Sequence, residues 1–398
     1  MSAFEEDAFL GRGLAATTRH ALGLEVAGGE GAWLHLADGR RLMDLISGIG
    51  VSSFGHGHPH IRAAIHEQVD RHLHAMVYGE FRQTSVERAA ERLRALLPPA
   101  LDTVYFVNSG AEAIEGALKC AKRATGRIRL AACTGGYHGN THGAMSLSTP
   151  GPRTDRFRPL LPEVDFVPFN DPAGLARIDG SHAAIVVETV QGDAGVRIPD
   201  RTWMEALRAR CTATGTLLIL DEIQCGMGRT GAPWAFSHFG IEPDVLCLGK
   251  ALGGGMPIGA FVTSRERMAL LAEAPPLGHI TTFGGHPVVC AAAAAALDVL
   301  TLIDFEAVER RGAAIERHLA AHPSVRAVRR IGLYFAVDFA DSAAAWRCIH
   351  AGLEAGVLLF GFLSTPYAVR LAPPLNLTDE DLAEALPRLT VALDAAAG

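Results

Sequence analysis

Short apolar runs alternate with helical patterns through the middle of the chain. The apolar runs are rich in aliphatic and β-branched side chains, and each ends at polar residues or a glycine; they are residues 103–107, 183–187, 217–220 and 245–248. Helical periodicity follows at residues 111–123 and 203–214. Continuous apolar strands separated by helices are typical of a mainly parallel sheet covered on both faces. We therefore predict an α/β fold, in which ligands lie beyond the carboxyl ends of the strands.

The two ends of the chain show a different pattern. Two short apolar runs, at residues 33–36 and 41–45, flank Asp38-Gly39, a dipeptide typical of β-hairpins. After residue 300, helical segments alternate with strand-like runs at residues 333–339 and 368–371. This order is typical of a smaller α+β unit.

The pattern predicts three parts of the chain. Residues 1–60 form an N-terminal segment that contributes to a small domain. Residues 61–300 form a large ligand-binding domain, and residues 301–398 form the C-terminal small domain. The small domain is therefore expected to be built from both chain termini.

Composition narrows the classes of protein. A net charge of −7 over 398 residues gives no reason to expect nucleic acid or an anionic membrane as a partner. Seven scattered cysteines without a C-x-x-C pair argue against a disulfide framework or a zinc ribbon. Residues 1–7 are acidic, unlike a signal peptide, and the apolar stretch at 290–300 is too short to span a bilayer. The sequence therefore favours a cytoplasmic protein.

An acidic pair ends one of the apolar runs. Asp221 and Glu222 directly follow residues 217–220, so a carboxylate is expected at the carboxyl edge of the sheet. A buried carboxylate needs a partner because an unpaired charge is costly away from water. A protonated heterocyclic nitrogen is one such partner. A strand-end acid that only caps a loop is the alternative interpretation.

A lysine follows the next apolar run. Lys250 stands between residues 245–248 and the three glycines at 253–255. Partial burial lowers the pKa of a lysine and makes its amine nucleophilic toward an aldehyde. A phosphate-binding lysine and a surface charge are the alternatives. Its place one strand-loop-strand unit after Asp221 favours a single site that contains both residues.

Three further segments offer groups to a ligand. Residues 108–112 begin a helix, where free N–H groups bind phosphate, although a simple N-cap at Ser109 explains the same residues. Tyr137 is flanked by glycines and is able to stack on a planar cofactor or to pack at a turn. Thr281 and Thr282 offer two adjacent hydroxyls that suit phosphate oxygens.

In their order and spacing, these segments resemble the class III aminotransferases, the ornithine/acetylornithine group of fold-type I pyridoxal-phosphate enzymes. The resemblance extends from about residue 31 to about residue 381, and it is most specific between residues 217 and 260. It implies a fold-type I architecture with pyridoxal 5'-phosphate as cofactor. It also implies a small-molecule amino donor, a keto-acid acceptor and a homodimer with shared active sites.

The resemblance assigns roles to the matching residues. Lys250 is expected to hold the cofactor as a Schiff base and to move the substrate proton, while Asp221 keeps the pyridine nitrogen protonated. The other implied cofactor contacts are the backbone N–H groups of Gly110 and Ala111, the ring of Tyr137, the strand-end acid Glu188, the apolar side chain of Ile223, the amide of Gln224 on the phenolic oxygen, and the partner subunit's Thr282 on the phosphate.

Five positions concern the substrate. Arg370 resembles the arginine that binds a carboxylate, and Asp193 stands where the group has a glutamate paired with that arginine. Asn140 replaces a second arginine, which removes a charge-assisted contact of about 1.5–3 kcal/mol. Ile49 is similar to the acetylornithine type rather than the ornithine type, and Thr281 is the fifth position.

We therefore predict a transaminase that moves an amino group from an amino acid or ω-amine to a keto acid, with 2-oxoglutarate as the expected acceptor. A diamino acid similar to ornithine or acetylornithine is the favoured donor, although Asn140 disfavours acetylornithine itself. An ω-amine and an N-acylated diamino acid remain open. The alternative function is an amino-acid racemase, aminomutase or decarboxylase on the same scaffold. The histidine-rich residues 55–60 are expected to form a structural loop and not a metal site.

Overall fold

The computed structural model describes residues 13, 15, 17–18, 21–77 and 79–397, so the acidic segment at residues 1–7 lies outside the described residues. The strands are β1 Val26–Glu30, β2 Trp33–Leu36, β3 Arg41–Asp44, β4 Thr103–Val107, β5 Arg129–Cys133, β6 Val164–Val167, β7 His182–Glu188, β8 Leu217–Asp221, β9 Val245–Gly249, β10 Gly259–Thr263, β11 Ala327–Ile331, β12 Tyr334–Asp338, β13 Val357–Leu358, β14 Phe360–Gly361 and β15 Ala368–Leu371. The helices are α1 Pro59–Arg71, α2 Thr84–Ala95, α3 Gly110–Thr125, α4 His142–Ser146, α5 Arg201–Thr214, α6 Arg265–Ala269, α7 Pro287–Leu300, α8 Phe305–Ala320, α9 Ser342–Glu354 and α10 Asp379–Ala397.

A seven-stranded sheet lies at the centre of the described chain, in the order β4-β10-β9-β8-β7-β5-β6. The strands from β9 to β6 pair in parallel, whereas β10 pairs antiparallel with both of its neighbours. Every residue of β7, β8 and β9 is buried, which explains why these strands are continuous apolar runs in the sequence. The predicted α/β fold with a mostly parallel sheet is therefore confirmed.

Two smaller four-stranded sheets contain the strands near the chain ends. One has the order β1-β2-β3-β13 and the other the order β11-β12-β15-β14. The predicted hairpin around Asp38-Gly39 is confirmed, since Trp33 pairs with Met43 and Gly39 has the positive φ of +89° that such a turn requires. The parallel pairing of β3 with β13 joins the N-terminal segment to the C-terminal part. The domain boundaries at residues 60 and 300 stay a prediction.

The register of the central sheet determines where the polar strand ends meet. Glu188 at the end of β7 lies opposite Asp221 at the end of β8. Asp221 in turn lies opposite Cys247 of β9, and Lys250 follows directly after that strand. Because these strands are parallel neighbours, their polar ends converge on one edge of the sheet.

Helix α3 covers this edge with its N-terminus. Ser109 is the N-cap, and its hydroxyl accepts a hydrogen bond from the backbone N–H of Glu112 at 3.2 Å. The helix ends at Gly126, which takes the left-handed conformation common at helix C-termini. Between its ends, α3 packs its buried face onto the sheet, and Gly116 lies against the ring of Phe261 in β10.

The histidine-rich loop at residues 55–60 makes structural contacts. His56 contacts Asp44 through Nε2 at 2.9 Å, and its backbone pairs with that of Gly31.

Among the described residues, no single helix combines the length and apolar character needed to cross a bilayer, although the bent pair of α7 and α8 meets that test jointly.

The packing of α3 on the sheet gives a stability prediction. A Cβ added at Gly116 would lie 2.3 Å from the ring of Phe261, which is fully buried and stacked on Tyr105. We expect Gly116→Ala to lower the free energy of unfolding by about 1–3 kcal/mol, because overpacking forces side chains or backbone to shift. Gly28→Ala, where the new Cβ meets no atom within 4 Å, is the control. Equal urea midpoints for the two variants would contradict the prediction.

Candidate active site

Lys250 begins a single 3-10 turn directly after β9. Its φ of +47° places a non-glycine residue in the left-handed region, a strained conformation that is concentrated at functional sites. Burial lowers the pKa of its amine to about 8, and the charges of Asp221 and Glu188 only partly oppose this effect. A pKa of about 8 leaves a much larger fraction of the amine neutral and nucleophilic near physiological pH than an exposed lysine has.

Asp221 is buried, with 4% of its surface exposed, and its carboxylate is paired. Oδ2 lies 2.8 Å from Nδ1 of His138, and Oδ1 accepts a hydrogen bond from the backbone N–H of Ile223 at 3.0 Å. Burial by itself disfavours the imidazolium, but the hydrogen bond and charge of Asp221 outweigh it and raise the pKa of His138. Both carboxylate oxygens of Asp221 are therefore in contact with a partner at the sheet edge.

His138 is a site residue to which the sequence analysis gave no role. It lies in the glycine-rich loop beside Tyr137, and its Nε2 atom is buried without a partner among the described residues. In the sequence, His138 was marked out only by its position next to Tyr137, the aromatic residue predicted to stack on the cofactor. Nothing in the local sequence shows that this ring reaches a carboxylate 83 residues further along the chain.

Glu188 positions the backbone around the site. Its carboxylate accepts hydrogen bonds from the N–H of Tyr137 and the N–H of Gly192, both at 2.9 Å. Burial raises the pKa of Glu188 to about 7. These contacts bring the loop that carries Tyr137 next to the end of β7, which matches a structural role for this acid.

The described residues around Lys250 form a cradle that suits pyridoxal 5'-phosphate. The side-chain amide of Gln224 is buried, and its Nε2 has no hydrogen-bond partner among the described residues. The N–H groups of Gly110 and Ala111 lie in the first turn of α3, where helix N–H groups lack intrahelical partners and bind phosphate. Ile223 packs so closely on Gly110 that an added Cβ would lie 2.8 Å from it. An apolar wall, a free amide and a phosphate-binding helix start are what this cofactor needs.

Arg370 and Asp193 lie together on the other side of the site, as the sequence predicts, but the contact between them is long. Nη2 of Arg370 lies 3.7 Å from Oδ1 of Asp193, and both side chains are buried. Asp193 has three shorter contacts, with the N–H of Leu363 at 3.0 Å, the hydroxyl of Ser364 at 2.6 Å and Nη1 of Arg153 at 2.9 Å. The Nε atom of Arg370 is buried without a partner among the described residues.

Two more residues at the site, Arg153 and Tyr334, belong to none of the motifs that the sequence analysis identified. Arg153 lies in a loop after α4, and its guanidinium is 5.4 Å from the ring centre of Tyr137. Tyr334 at the start of β12 is fully buried, and its hydroxyl has no partner among the described residues. A Cβ on Gly192 would lie 2.3 Å from this hydroxyl and 2.4 Å from Oε1 of Gln224. Residue 192 is therefore limited to glycine by its neighbours.

Thr281 and Thr282 do not join this group. Thr281 caps a local turn, where its hydroxyl accepts a hydrogen bond from the N–H of Gly284 at 2.8 Å. Thr282 is exposed, and its carbonyl oxygen lies 3.1 Å from Nε2 of His74. No contact among the described residues connects Thr282 to Lys250.

Asn140 lies on a loop at the site, and Ile49 lies in the short left-handed turn Ser47–Gly50. Asn140 is exposed and follows Gly139, where an added Cβ would lie 2.7 Å from that of Ala111. Ile49 has a φ of +61°, which is strained for a β-branched side chain. It precedes Gly50, whose Cβ position lies 3.8 Å from Gln224.

Comparison with known proteins identifies the family. A family model for aminotransferase class III matches residues 14–393. The chain belongs to the class III aminotransferases. It is 40% identical to the acetylornithine aminotransferase of Methanopyrus kandleri, over 92% of this chain and 93% of that protein. It is also 40% identical to the acetylornithine aminotransferase of Streptomyces coelicolor, over 94% of this chain and 92% of that protein.

Solved structures support the same assignment. The ornithine aminotransferase of Toxoplasma gondii superposes with a TM-score of 0.89 at 30% identity, covering 98% of this chain and 93% of that one. An amine transaminase from an uncultivated Pseudomonas species, solved with pyridoxal phosphate bound, gives a TM-score of 0.86 at 27% identity and covers 96% and 99%. The predicted family, cofactor and reaction class are therefore confirmed: this is an aminotransferase that depends on pyridoxal 5'-phosphate.

The lowered pKa of Lys250 gives a pH prediction. An exposed lysine titrates near 10.4, whereas burial lowers the pKa of Lys250 to about 8. The amine is protonated below this pH and neutral above it. The rate at which Lys250 of the apoprotein captures pyridoxal 5'-phosphate is thus expected to rise from pH 6 and to level off above about pH 8. Borohydride reduction followed by mass spectrometry measures this rate. A rate that still climbs between pH 9 and 10 would contradict the lowered pKa.

Proposed function

We propose that this aminotransferase moves the terminal amino group of an ornithine-type diamino acid to 2-oxoglutarate. The carrying observation is Arg370, a buried cation whose Nε has no partner among the described residues and whose charge acts on the Lys250 amine. A buried guanidinium fork in this place suits the α-carboxylate of the keto acid. Relatives described as acetylornithine aminotransferases support a donor of this class.

The residues at the carboxyl edge of the sheet divide the chemistry among them. When bound, pyridoxal 5'-phosphate supplies an aldehyde and a ring that withdraws electrons from the substrate. Lys250 provides the neutral amine that takes the proton from the substrate carbon and returns it. Asp221, paired with His138, would face the ring nitrogen of the bound cofactor and favour its protonated form. The buried Nε2 of Gln224 would donate a hydrogen bond to the phenolic oxygen.

The cofactor faces and phosphate have their own contacts. We propose that Ile223 supports one face of the ring and that Tyr137 stacks on the other. The phosphate is bound by the N–H groups of Gly110 and Ala111 at the start of α3. Glu188 contributes by holding the backbone of Tyr137 in place.

On the substrate side, we propose that Arg370 binds the α-carboxylate of 2-oxoglutarate, next to the carbon that receives the amino group. Asp193 is held by Leu363, Ser364 and Arg153, so it neutralises Arg370 only weakly from 3.7 Å. Ile49 and Asn140 are proposed to border the pocket, together with the partner subunit's Thr281.

We also propose a homodimer with shared sites. Two segments, 73–81 and 277–283, expose large apolar side chains, and Thr282 lies in the second of them. The side chains are Leu73, Met76, Phe81, Leu277, Ile280 and Phe283, which we call the 73–283 patch. Extended exposed apolar surfaces on a folded chain mark interfaces. If a second copy covers this patch, the partner subunit's Thr282 is available to bind the phosphate.

A reducing compartment suits this protein. All seven cysteines are free and buried. Unpaired cysteines are typical of proteins that work in the cytosol. We therefore propose a cytoplasmic location.

The proposed reaction is tested first by absorbance. Adding ornithine or N-acetylornithine to the holoenzyme without keto acid is expected to abolish the visible absorbance of the lysine-bound cofactor, and 2-oxoglutarate is expected to restore it. Turnover that consumes no keto acid would refute transamination, and an unchanged spectrum with both donors would refute the donor class.

Two substitutions test the residues at the sheet edge. Lys250→Ala is expected to abolish turnover, and Asp221→Ala is expected to reduce kcat by several orders of magnitude. Lys122→Ala, in the last turn of α3, is the control with normal turnover.

The dimer proposal is tested by charge placed on the patch. Phe283 is exposed in the single chain, and Phe283→Glu is expected to shift the protein from dimer to monomer because a buried unpaired carboxylate is costly at an interface. Leu302→Glu is the matched control, since Leu302 is 82% exposed outside the patch. Sedimentation velocity measures both variants. A Phe283→Glu variant with the wild-type sedimentation coefficient would contradict the proposed interface.

A further inference from the structure

Arg153 connects two parts of the substrate side of the site. Its Nη1 donates hydrogen bonds to Oδ2 of Asp193 at 2.9 Å and to the hydroxyl of Ser364 at 3.1 Å. Its guanidinium also lies 5.4 Å from the ring centre of Tyr137. The side chain is 46% exposed, so Arg153 lies at the open edge of the site, whereas Arg370 lies in its interior.

One carboxylate serves both arginines. Asp193 contacts Arg153 through Oδ2 and Arg370 through Oδ1, so two positive charges share a single negative charge. The hydrogen bonds of Arg153 to described residues all involve Nη1. The Nε and Nη2 edge of its guanidinium therefore remains available for a second carboxylate, in the planar two-point geometry that arginine favours.

A purely structural role does not account for Arg153. Asp193 is already held by the N–H of Leu363 and the hydroxyl of Ser364. The Arg153 side chain is 46% exposed, so its ion pair with Asp193 contributes little to the free energy of unfolding. Asn140, on the other loop at this edge, is exposed and uncharged. Arg153 thus places an exposed positive charge at this edge of the site.

We propose that Arg153 binds the substrate carboxylate that lies remote from the reacting carbon. This inference rests on the proposed function, because it takes Arg370 as the inner carboxylate site. A five-carbon dicarboxylate places one carboxylate on Arg370 and the other on Arg153. A donor that reacts at its terminal amine places its α-carboxylate on Arg153. The site then selects substrates with a carboxylate at the far end and disfavours simple amines and short keto acids.

The test compares two unreactive ligands that differ in one group. Glutarate and pentanoate have the same five carbons, but pentanoate lacks the second carboxylate. Isothermal titration calorimetry of the holoenzyme is expected to show tighter binding of glutarate. Arg153→Ala is expected to weaken glutarate by about 10- to 100-fold, the range for loss of a hydrogen bond between charged groups, and to leave pentanoate within about twofold. Arg156→Ala, an exposed arginine on the same loop, is the matched control.

Each other outcome overturns the inference. Arg153→Ala that keeps the preference for glutarate shows that another group binds the remote carboxylate. Equal weakening of both ligands shows that Arg153 only maintains the structure. A wild-type protein without a preference for glutarate lacks an outer carboxylate site altogether.

Kinetics give an independent measurement. Arg153→Ala is expected to raise KM for 2-oxoglutarate by about 10- to 100-fold while changing that for pyruvate by less than about twofold, with kcat nearly constant. Arg153→Lys keeps the charge without the planar fork, so it is expected to restore part of the affinity. A parallel loss with both keto acids would contradict the inference. Failure of the proposed function is separate, since it is seen as an unchanged cofactor spectrum in the wild-type protein.

Discussion

The buried carboxylate of Asp221 is the constraint on which the site depends. Removing a charge from water costs several kcal/mol unless partners replace the lost hydration. Here the partners are the ring of His138 and the N–H of Ile223. The pairing requires the loop at residues 135–141 to cross the end of β8, and Glu188 completes that arrangement by binding the N–H of Tyr137. The contacts of Asp221 and Glu188 thus hold the loop after β5 against the ends of β7 and β8.

The same enclosure makes Lys250 reactive. Burial disfavours the ammonium form, and the nearby negative charges of Asp221 and Glu188 limit this effect so that the pKa stops near 8. The residue also has a strained φ of +47°, which persists only because the surrounding structure determines it. Strands β8 and β9 pair with each other at Asp221 and Cys247, and both strands are fully buried. They supply that rigidity. Reactivity here follows from packing.

The substrate side follows a different principle. Two arginines face the single carboxylate of Asp193. Among the described residues, the Nε atom of Arg370 and one edge of the Arg153 guanidinium have no hydrogen-bond partner. An excess of fixed positive charge in a partly closed pocket attracts anionic substrates and orients them. Asn140 is exposed and uncharged, so the positive charge comes from residues in other parts of the chain.

Local sequence determined the core of the proposed catalytic centre. Asp221 ends one strand, Ile223 and Gln224 follow it, and Lys250 follows the neighbouring strand, so parallel pairing alone brings them together. The hairpin at Gly39 and the helix start at Ser109 were likewise predictable, because turns and caps are fixed by a few adjacent residues. Only the tertiary structure decided that His138 reaches Asp221, that Arg153 shares Asp193 with Arg370, and that Tyr334 lies against Gly192. These contacts join segments 40 to more than 150 residues apart, and their side chains meet only when the whole chain packs.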